Sequence, residues 1–486
     1  MRSFPLPVRA PLRRRPPVPG LRRRGLLFLH ESRELLRIAG PIILAQLGGV
    51  GMNTMDTIMV GPLGAEALAA VGLGSALHIA TLILCMGILL GMAPLVSQAF
   101  GAGDREECRR VLVQGLWLAV MLTLPIAWLT AEGRRLTLAL GQAPEIADLV
   151  GGYMWALIPG IAPFLLFMAF RQFLEGMGLT KPAMVITFVG LAVNYLGNRV
   201  LIYGIEGWVP AMGVVGSGWA TTIVRTVMLL AMVLYLVRHP DLHPLRGIGW
   251  GIERVRLRRI VGIGAPIGAQ LGLEVGLFSL AAVMMGWFGP LELGTHQVTI
   301  NIASTTFMVA LGVSLAGSIR VGQHIGAGSG TGVHRATLVT YALALGFMGL
   351  FALLFLAVPE GLIGLYTRDP EIIRLGSMLL LVAAFFQLFD GAQVAGLSVL
   401  RGAADTRIPM LIAALAYWGV GLPAAYLLGF HSSLGPVGVW AGLCLALAVA
   451  GALLGWRVWR VVWGSRVAPV ARPRESMPVA DAASAL

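Results

Sequence analysis

The sequence predicts an all-α membrane protein: twelve transmembrane helices in two six-helix lobes, related by internal duplication with a pseudo-two-fold axis along the membrane normal. Three observations carry this. The 486 residues are 57% hydrophobic and only 12% charged, with a mean hydropathy of +0.82, whereas soluble domains run near 25% charged. Apolar stretches of roughly 20 residues recur, each long enough to cross a hydrocarbon core about 30 Å thick at about 1.5 Å per residue. Three blocks of the first half also return in order in the second half.

Closed helices are expected because backbone groups facing lipid have no water to bond. The spans fall at 36–60, 67–91, 111–131, 147–169, 183–203, 211–237, 260–288, 295–317, 336–358, 373–397, 408–430 and 436–463. Ahead of them, residues 1–32 are rich in Arg and Pro with no acid before Glu31, and read as a basic disordered cytoplasmic tail. The first lobe is then 33–240, a cytoplasmic linker 241–259, the second lobe 260–463 and a second cytoplasmic tail 464–486. The net charge of +13 raises the question of nucleic acid, but its distribution answers it. Outside the tails, the even-numbered loops and the span ends beside them (Arg37, Arg457, Arg460), the basic residues are Arg134, Arg135, Arg368 and Arg374 toward the outer face and Arg199 and Arg225 within spans. That bias is a topology signal placing both termini in the cytoplasm. The three cysteines have no ligand spacing and read as structural thiols.

The repeat is specific. Val96-Ser-Gln-Ala-Phe-Gly-Ala-Gly103 matches Val321-Gly-Gln-His-Ile-Gly-Ala-Gly328, Gly176 to Met184 matches Gly402 to Met410, and Gly213-Val214 matches Gly438-Val439. Six spans per half return the chain to its starting side, so both halves share one orientation and sites are expected near the midplane.

Acids inside spans cost about 2.5–3.5 kcal/mol each on insertion scales, so they mark candidate sites. Asp56, Glu274 and Asp390 are the three. Gln270 lies one turn before Glu274 and Gln387 three residues before Asp390, which puts each amide on its acid's face. Glu274 and Asp390 come to similar depths and are expected to meet in one pocket. Asn194 and Asn198 form an i,i+4 pair that can share a site with Asp56. The repeat carries none of these acids onto another, which suits different tasks for the two lobes. A rival reading makes each acid interhelical glue. Arg199 and Arg225 are read as structural counter-ions, His296 as an interfacial residue and Glu175 as a solvated loop residue; Met284, Met285 and Met308 could line an adaptable cavity, but methionine in an apolar helix is usually packing or lipid-facing.

No phosphate-cradling Gly-x-x-x-x-Gly-Lys-[Ser/Thr] loop exists around the chain's only lysine, Lys181, so ATP is not the expected fuel. No His-Glu-x-x-His or Gly-x-Ser-x-Gly segment suggests an enzyme.

Several blocks resemble the multidrug and toxic compound extrusion (MATE) family over roughly residues 33 to 463. They are Met55-Asp-Thr-Ile-Met-Val-Gly61, the two Gln-x-x-Gly-Ala-Gly blocks, Glu274, Gln387-Leu-Phe-Asp-Gly-Ala-Gln393, Leu400-Arg-Gly402 and Asp405-Thr-Arg-Ile-Pro409. The resemblance implies a secondary active transporter, not an enzyme, that exports cationic or amphiphilic organic compounds in exchange for H+ or Na+ by alternating access. First-lobe chemistry would map onto Asp56, Asn194 and Asn198, and cation binding onto Glu274 and Asp390, which would be metal ligands only under Na+ coupling. Some sodium-coupled members carry a tyrosine one turn before the second-lobe aspartate. Phe386 stands there instead, so H+ is the expected ion ahead of Na+. No cofactor is expected. The expected partners are small cationic solutes and the bilayer, without nucleic acid or ATP, and the expected unit is a multi-pass monomer of the plasma (bacterial inner) membrane. The alternative is a flippase for a lipid-linked glycan or another lipid on the same type of scaffold, which an Arg-rich, acid-poor cleft would favour.

The mechanism expected from these residues is electrostatic. A carboxyl group in a dehydrated pocket resists ionising, and two acids sharing a pocket titrate as a unit. Deprotonated, such a site attracts a cationic solute; protonated, it releases it.

Overall fold

The structure, a computed structural model, describes residues 20–239 and 249–464. Its helices in the first half are α1 (Gly20–Val60), α2 (Ala65–Leu90), α3 (Met92–Gly101), α4 (Arg105–Ala131), α5 (Gly133–Ala139), α6 (Pro144–Leu157), α7 (Ile161–Gly176), α8 (Lys181–Tyr203) and α9 (Gly213–Arg238). Those in the second are α10 (Arg254–Phe288), α11 (Pro290–Gly326), α12 (Gly330–Ala357), α13 (Pro359–Gly364), α14 (Pro370–Gly402), α15 (Arg407–Ala413), α16 (Leu422–Phe430) and α17 (Pro436–Trp459). A π-helical stretch, Ala414–Gly421, joins α15 to α16. Taken as continuous stretches, they make twelve helices long and apolar enough to cross a membrane. The described chain therefore starts and finishes on one face, called here the termini face.

Several helices outrun the stretches that hydropathy marks. Residues 20–32 continue α1 rather than forming a disordered tail, and α10 begins at Arg254, inside the expected linker. Residues 1–19, 241–248 and 465–486, which hold the rest of the expected tails and linker, lie outside the described residues. At the termini face α3, α7, α11 and α14 run on to Gly101, Gly176, Gly326 and Gly402. Here the helices are covered by protein, so their length is not set by the thickness of lipid.

The repeat is visible in local geometry. After α3 and α11 the chain turns through Gly103 (φ +79°) and Gly328 (φ +66°), a left-handed conformation suited to glycine. The next residues, Asp104 and Ser329, cap α4 and α12 by accepting from the backbone N–H of Glu107 at 2.9 Å and Gly332 at 3.2 Å. The matching turn after α7 passes through Gly178 at φ +82°, but after α14 the same place is held by Ala404 at φ 58°.

The two halves meet through backbone as much as side chain. Gly87 of α2 and Gly91 at its C-terminal cap lie directly against Gly268 and Gly264 of α10, and Ile43 of α1 fills the surface left bare at Gly312 of α11. Small residues are what permit such approach between membrane helices. The Gly87/Gly91 pair is thus packing, as its spacing suggests; Gly272 faces open space, while Gly276 meets Trp418. These cross-half contacts sit in the portions of α1, α2, α10 and α11 nearer the termini face. Toward the other face Asn53, Thr54, Thr57, Asn301 and Thr305 are exposed.

Candidate functional site

The first half builds a site around Asp56, near the end of α1 remote from the termini. Its carboxyl is buried, with 7% of the residue exposed. Asn194 and Asn198 lie one turn apart on α8, and both donate their Nδ2 groups to Asp56 Oδ1, at 2.9 and 2.6 Å. Thr221 and Arg225 of α9 complete the surroundings. Arg225 Nη1 donates to His78 Nε2 of α2 at 3.1 Å, and the guanidinium lies 4.9 Å from the ring centre of Phe164. A guanidinium has no acceptor, so His78 must accept through Nε2 and carry its proton on Nδ1, which faces the Thr130 hydroxyl at 3.5 Å. Tyr203 Oη braces the end of α1 by donating to the Met59 carbonyl at 2.5 Å.

Arg225 therefore sits in the polar core of this half as a counter-charge to Asp56 beyond ion-pair distance. Arg199 does not join it: that side chain is exposed and lies over the Tyr203 ring at 5.3 Å.

The second half builds a different chamber from α10, α11, α14 and the π-helical stretch. Glu274 is half-buried and Asp390 buried. The two are electrostatic neighbours, and Tyr417 neighbours both. Neither carboxyl has a hydrogen bond or ion pair among the described residues. The amides around them are anchored at one end only. Arg401 Nη2 donates to Gln270 Oε1 at 3.2 Å, Gln387 Nε2 donates to Thr306 Oγ1, and Gln393 Nε2 donates to Tyr417 Oη at 2.5 Å. That leaves Gln270 Nε2, Gln387 Oε1, Gln393 Oε1 and Arg401 Nε buried without a partner. Unsatisfied groups in such number are costly and mark a chamber built for something else. Carboxylate and amide oxygens are hard donors that fit a proton, a hydrated proton or a small alkali cation. Among the described residues no group of three or more His, Cys, Asp and Glu could hold a metal ion.

Two expectations need correction. His296 is buried, with 1% exposed, because its ring packs edge-on against Trp440 of α17 at 5.6 Å between ring centres rather than facing the membrane surface. Glu175 is buried within α7 and paired with Arg171 at 2.6 Å, Arg171 also donating to Gln46 of α1 at 3.1 Å. Met284 and Met285 pack inside the core of the second half, the commoner role for methionine in an apolar helix. Phe386 is likewise a packing residue, edge-on to Phe278 at 6.1 Å.

All seven residues singled out from the sequence thus fall into two clusters: Asp56 with Asn194 and Asn198, and Gln270, Glu274, Gln387 and Asp390. What sequence reasoning missed are the partners from other helices. His78 and Thr306 carry no local signal, while Gln393 and Arg401 stood within repeated or resembling blocks without an assigned place.

A doubled bundle of twelve apolar helices with a separate set of buried acids in each half defines a polytopic membrane protein built around two internal polar sites. Comparison gives the particular lineage. The MatE family profile matches residues 41–200 and matches again over 266–427, one copy per half. The chain is 37% identical over 437 residues, 88% of this chain and 93% of the relative, to a probable multidrug resistance protein NorM of Mesorhizobium japonicum. It is 35% identical over 439 residues, 89% and 96% of the two chains, to the multidrug resistance protein MdtK of Yersinia pseudotuberculosis. Among solved structures it resembles the eukaryotic MATE transporter AtDTX14 with a TM-score of 0.82 at 20% identity, covering 90% of this chain and 98% of that one. The chain belongs to the MATE family.

Proposed function

We propose that this protein is a secondary active multidrug efflux transporter of the bacterial inner membrane, with both termini cytoplasmic, exporting cationic amphiphilic compounds in exchange for protons by alternating access. The observation that carries the reading is the pair Glu274 and Asp390: two neighbouring acids in a chamber of half-satisfied amides, with no ion pair to either. The names of the relatives, multidrug resistance proteins, support the substrate class.

The chemistry follows from charge. Deprotonated, the acids attract a cationic solute in a setting where little water screens them. Protons arriving from the outer side remove that attraction and release the solute. Each charge moving inward under 100 mV supplies about 2.3 kcal/mol, enough for roughly a 50-fold solute gradient. Phe386, packed against Phe278 one turn before Asp390, offers no oxygen to a metal cation, which supports H+ over Na+.

The test is efflux of a cationic dye from vesicles under imposed proton or sodium gradients. Proton-driven efflux by the parent, lost in Glu274→Gln and Asp390→Asn, supports the reading; full gradient-driven transport by both variants ends it.

A further inference from the structure

The two Gln-x-x-Gly-Ala-Gly blocks have no part in either acid site, yet they lie together at the termini face. Gln98 of α3 donates through Nε2 to the carbonyl of Gly402 at the end of α14, at 2.9 Å. Gln323 of α11 donates through Nε2 to the carbonyl of Gly176 at the end of α7, at 3.4 Å. Each bond crosses from one half to the other. Under the internal repeat Gln98 matches Gln323 and Gly176 matches Gly402, so one bond is the image of the other.

The glycines of the blocks obey the same reciprocity. A Cβ on Gly101 would strike the carbonyl of Gln323, and one on Gly326 would strike the carbonyl of Gln98. Glycine is needed at both places for the halves to close on each other. Ion pairs flank this contact on both sides and also cross between halves. Glu31 of α1 holds Arg320 of α11 at 2.7 and 2.9 Å, and Glu107 of α4 holds Arg256 of α10 at 2.7 Å. Arg320 further donates to Gln323 Oε1 at 3.0 Å, orienting that amide toward Gly176.

We propose that Gln98 and Gln323, with Gly101 and Gly326, form a reciprocal latch that holds the two halves together at the termini face and must open whenever the interior becomes accessible from that side. This rests on the alternating-access reading above. The repeat accounts for the paired form: each half supplies one donor and one acceptor, so both bonds form together as the halves approach and break together as they part. Side-chain amides suit the task, because their two bonds carry no net charge and release at modest cost.

The experiment measures closure directly, without drug or gradient. Nitroxide labels are attached at Ala102→Cys and Ala327→Cys, exposed and repeat-related positions, in a chain whose Cys85, Cys108 and Cys444 are replaced by alanine. Pulsed electron–electron distances are recorded in lipid nanodiscs. The parent should give a dominant short distance. Gln98→Ala/Gln323→Ala should raise the ratio of long to short distances about tenfold, equivalent to about 1.4 kcal/mol. Gly326→Ala should do the same by steric exclusion, while Gly49→Ala, whose Cβ meets nothing, should leave the parent distribution unchanged. Should either demanding variant fail to fold, Gln98→Ala alone decides, with a rise of about threefold. Distributions that superimpose on the parent in all latch variants overturn the proposal. A parent that moves no dye while the latch variants shift would instead count against the transport reading and leave the latch standing.

Discussion

Asn198 Nδ2 lies 2.6 Å from Asp56 Oδ1, and Asn194, one turn earlier on the same helix, reaches the same oxygen at 2.9 Å. Two donors on one carboxyl oxygen tie α8 to α1 inside the polar core of this half. Asn198→Ala should therefore lower thermal stability in detergent by about 1.5–3 kcal/mol, the range for hydrogen bonds to a charged group. In an Asp56→Asn background the same substitution should cost less. Equal costs in both backgrounds would mean that the bond to the carboxylate contributes nothing.

The chamber of the second half can be examined by proton counting. Binding of a cationic dye to the solubilised parent in weak buffer should release protons, because a cation competes with them for Glu274 and Asp390. The release should disappear in Glu274→Gln/Asp390→Asn, and dye affinity should fall about tenfold or more. Unchanged proton release in that double variant would assign the titration elsewhere.

Glu31 is 2% exposed and Arg320 9%, so their pairing is shielded from solvent. Removing one partner of such a pair strands the other charge and costs about 3–5 kcal/mol, whereas removing both costs less. Glu31→Gln should lower the unfolding temperature clearly, and Glu31→Gln/Arg320→Leu should recover part of the loss. The effect should change little between low and high salt, since buried pairs are weakly screened.

Ala404 occupies a left-handed turn that its repeat partner fills with Gly178. An L-residue there carries about 1–2 kcal/mol of steric cost, against which glycine loses somewhat more chain entropy on folding. Ala404→Gly should raise stability by up to about 1 kcal/mol, and Ala404→Val, being β-branched, should lower it. Thermal unfolding of the three proteins side by side decides the order.

Much of this architecture was legible because the bilayer imposes a simple rule on sequence: apolar runs of one length, basic loops on one side, acids only where needed. Asp56 with Asn194 and Asn198 could be grouped because two of the three share a helix face, and Gln270 with Glu274 for the same reason. Arg225 and His78 could not, since their meeting depends on how α2 and α9 rotate against α1, and nothing in either helix alone reports that rotation. Glu175 was misplaced for a related cause. Hydropathy ends a span where lipid would end, yet α7 runs on into protein, where the Arg171 partner makes a buried acid tolerable. The Gln-x-x-Gly-Ala-Gly blocks announced the duplication plainly, but their spatial pairing required knowing which face each half turns toward the other.

The π-helical stretch has a consequence for how the second half can move. Its neighbouring residues Tyr417 and Trp418 are fastened in different directions, Tyr417 Oη receiving the amide of Gln393 on α14 and Trp418 Nε1 reaching the Leu273 carbonyl on α10 at 3.2 Å. Both anchor points lie within one helical turn of an acid: Leu273 immediately precedes Glu274, and Gln393 follows Asp390 by three residues. Span eleven is thus a rivet through both acid-bearing helices, so a displacement of the π-helical stretch would be felt within a turn of both carboxyls at once.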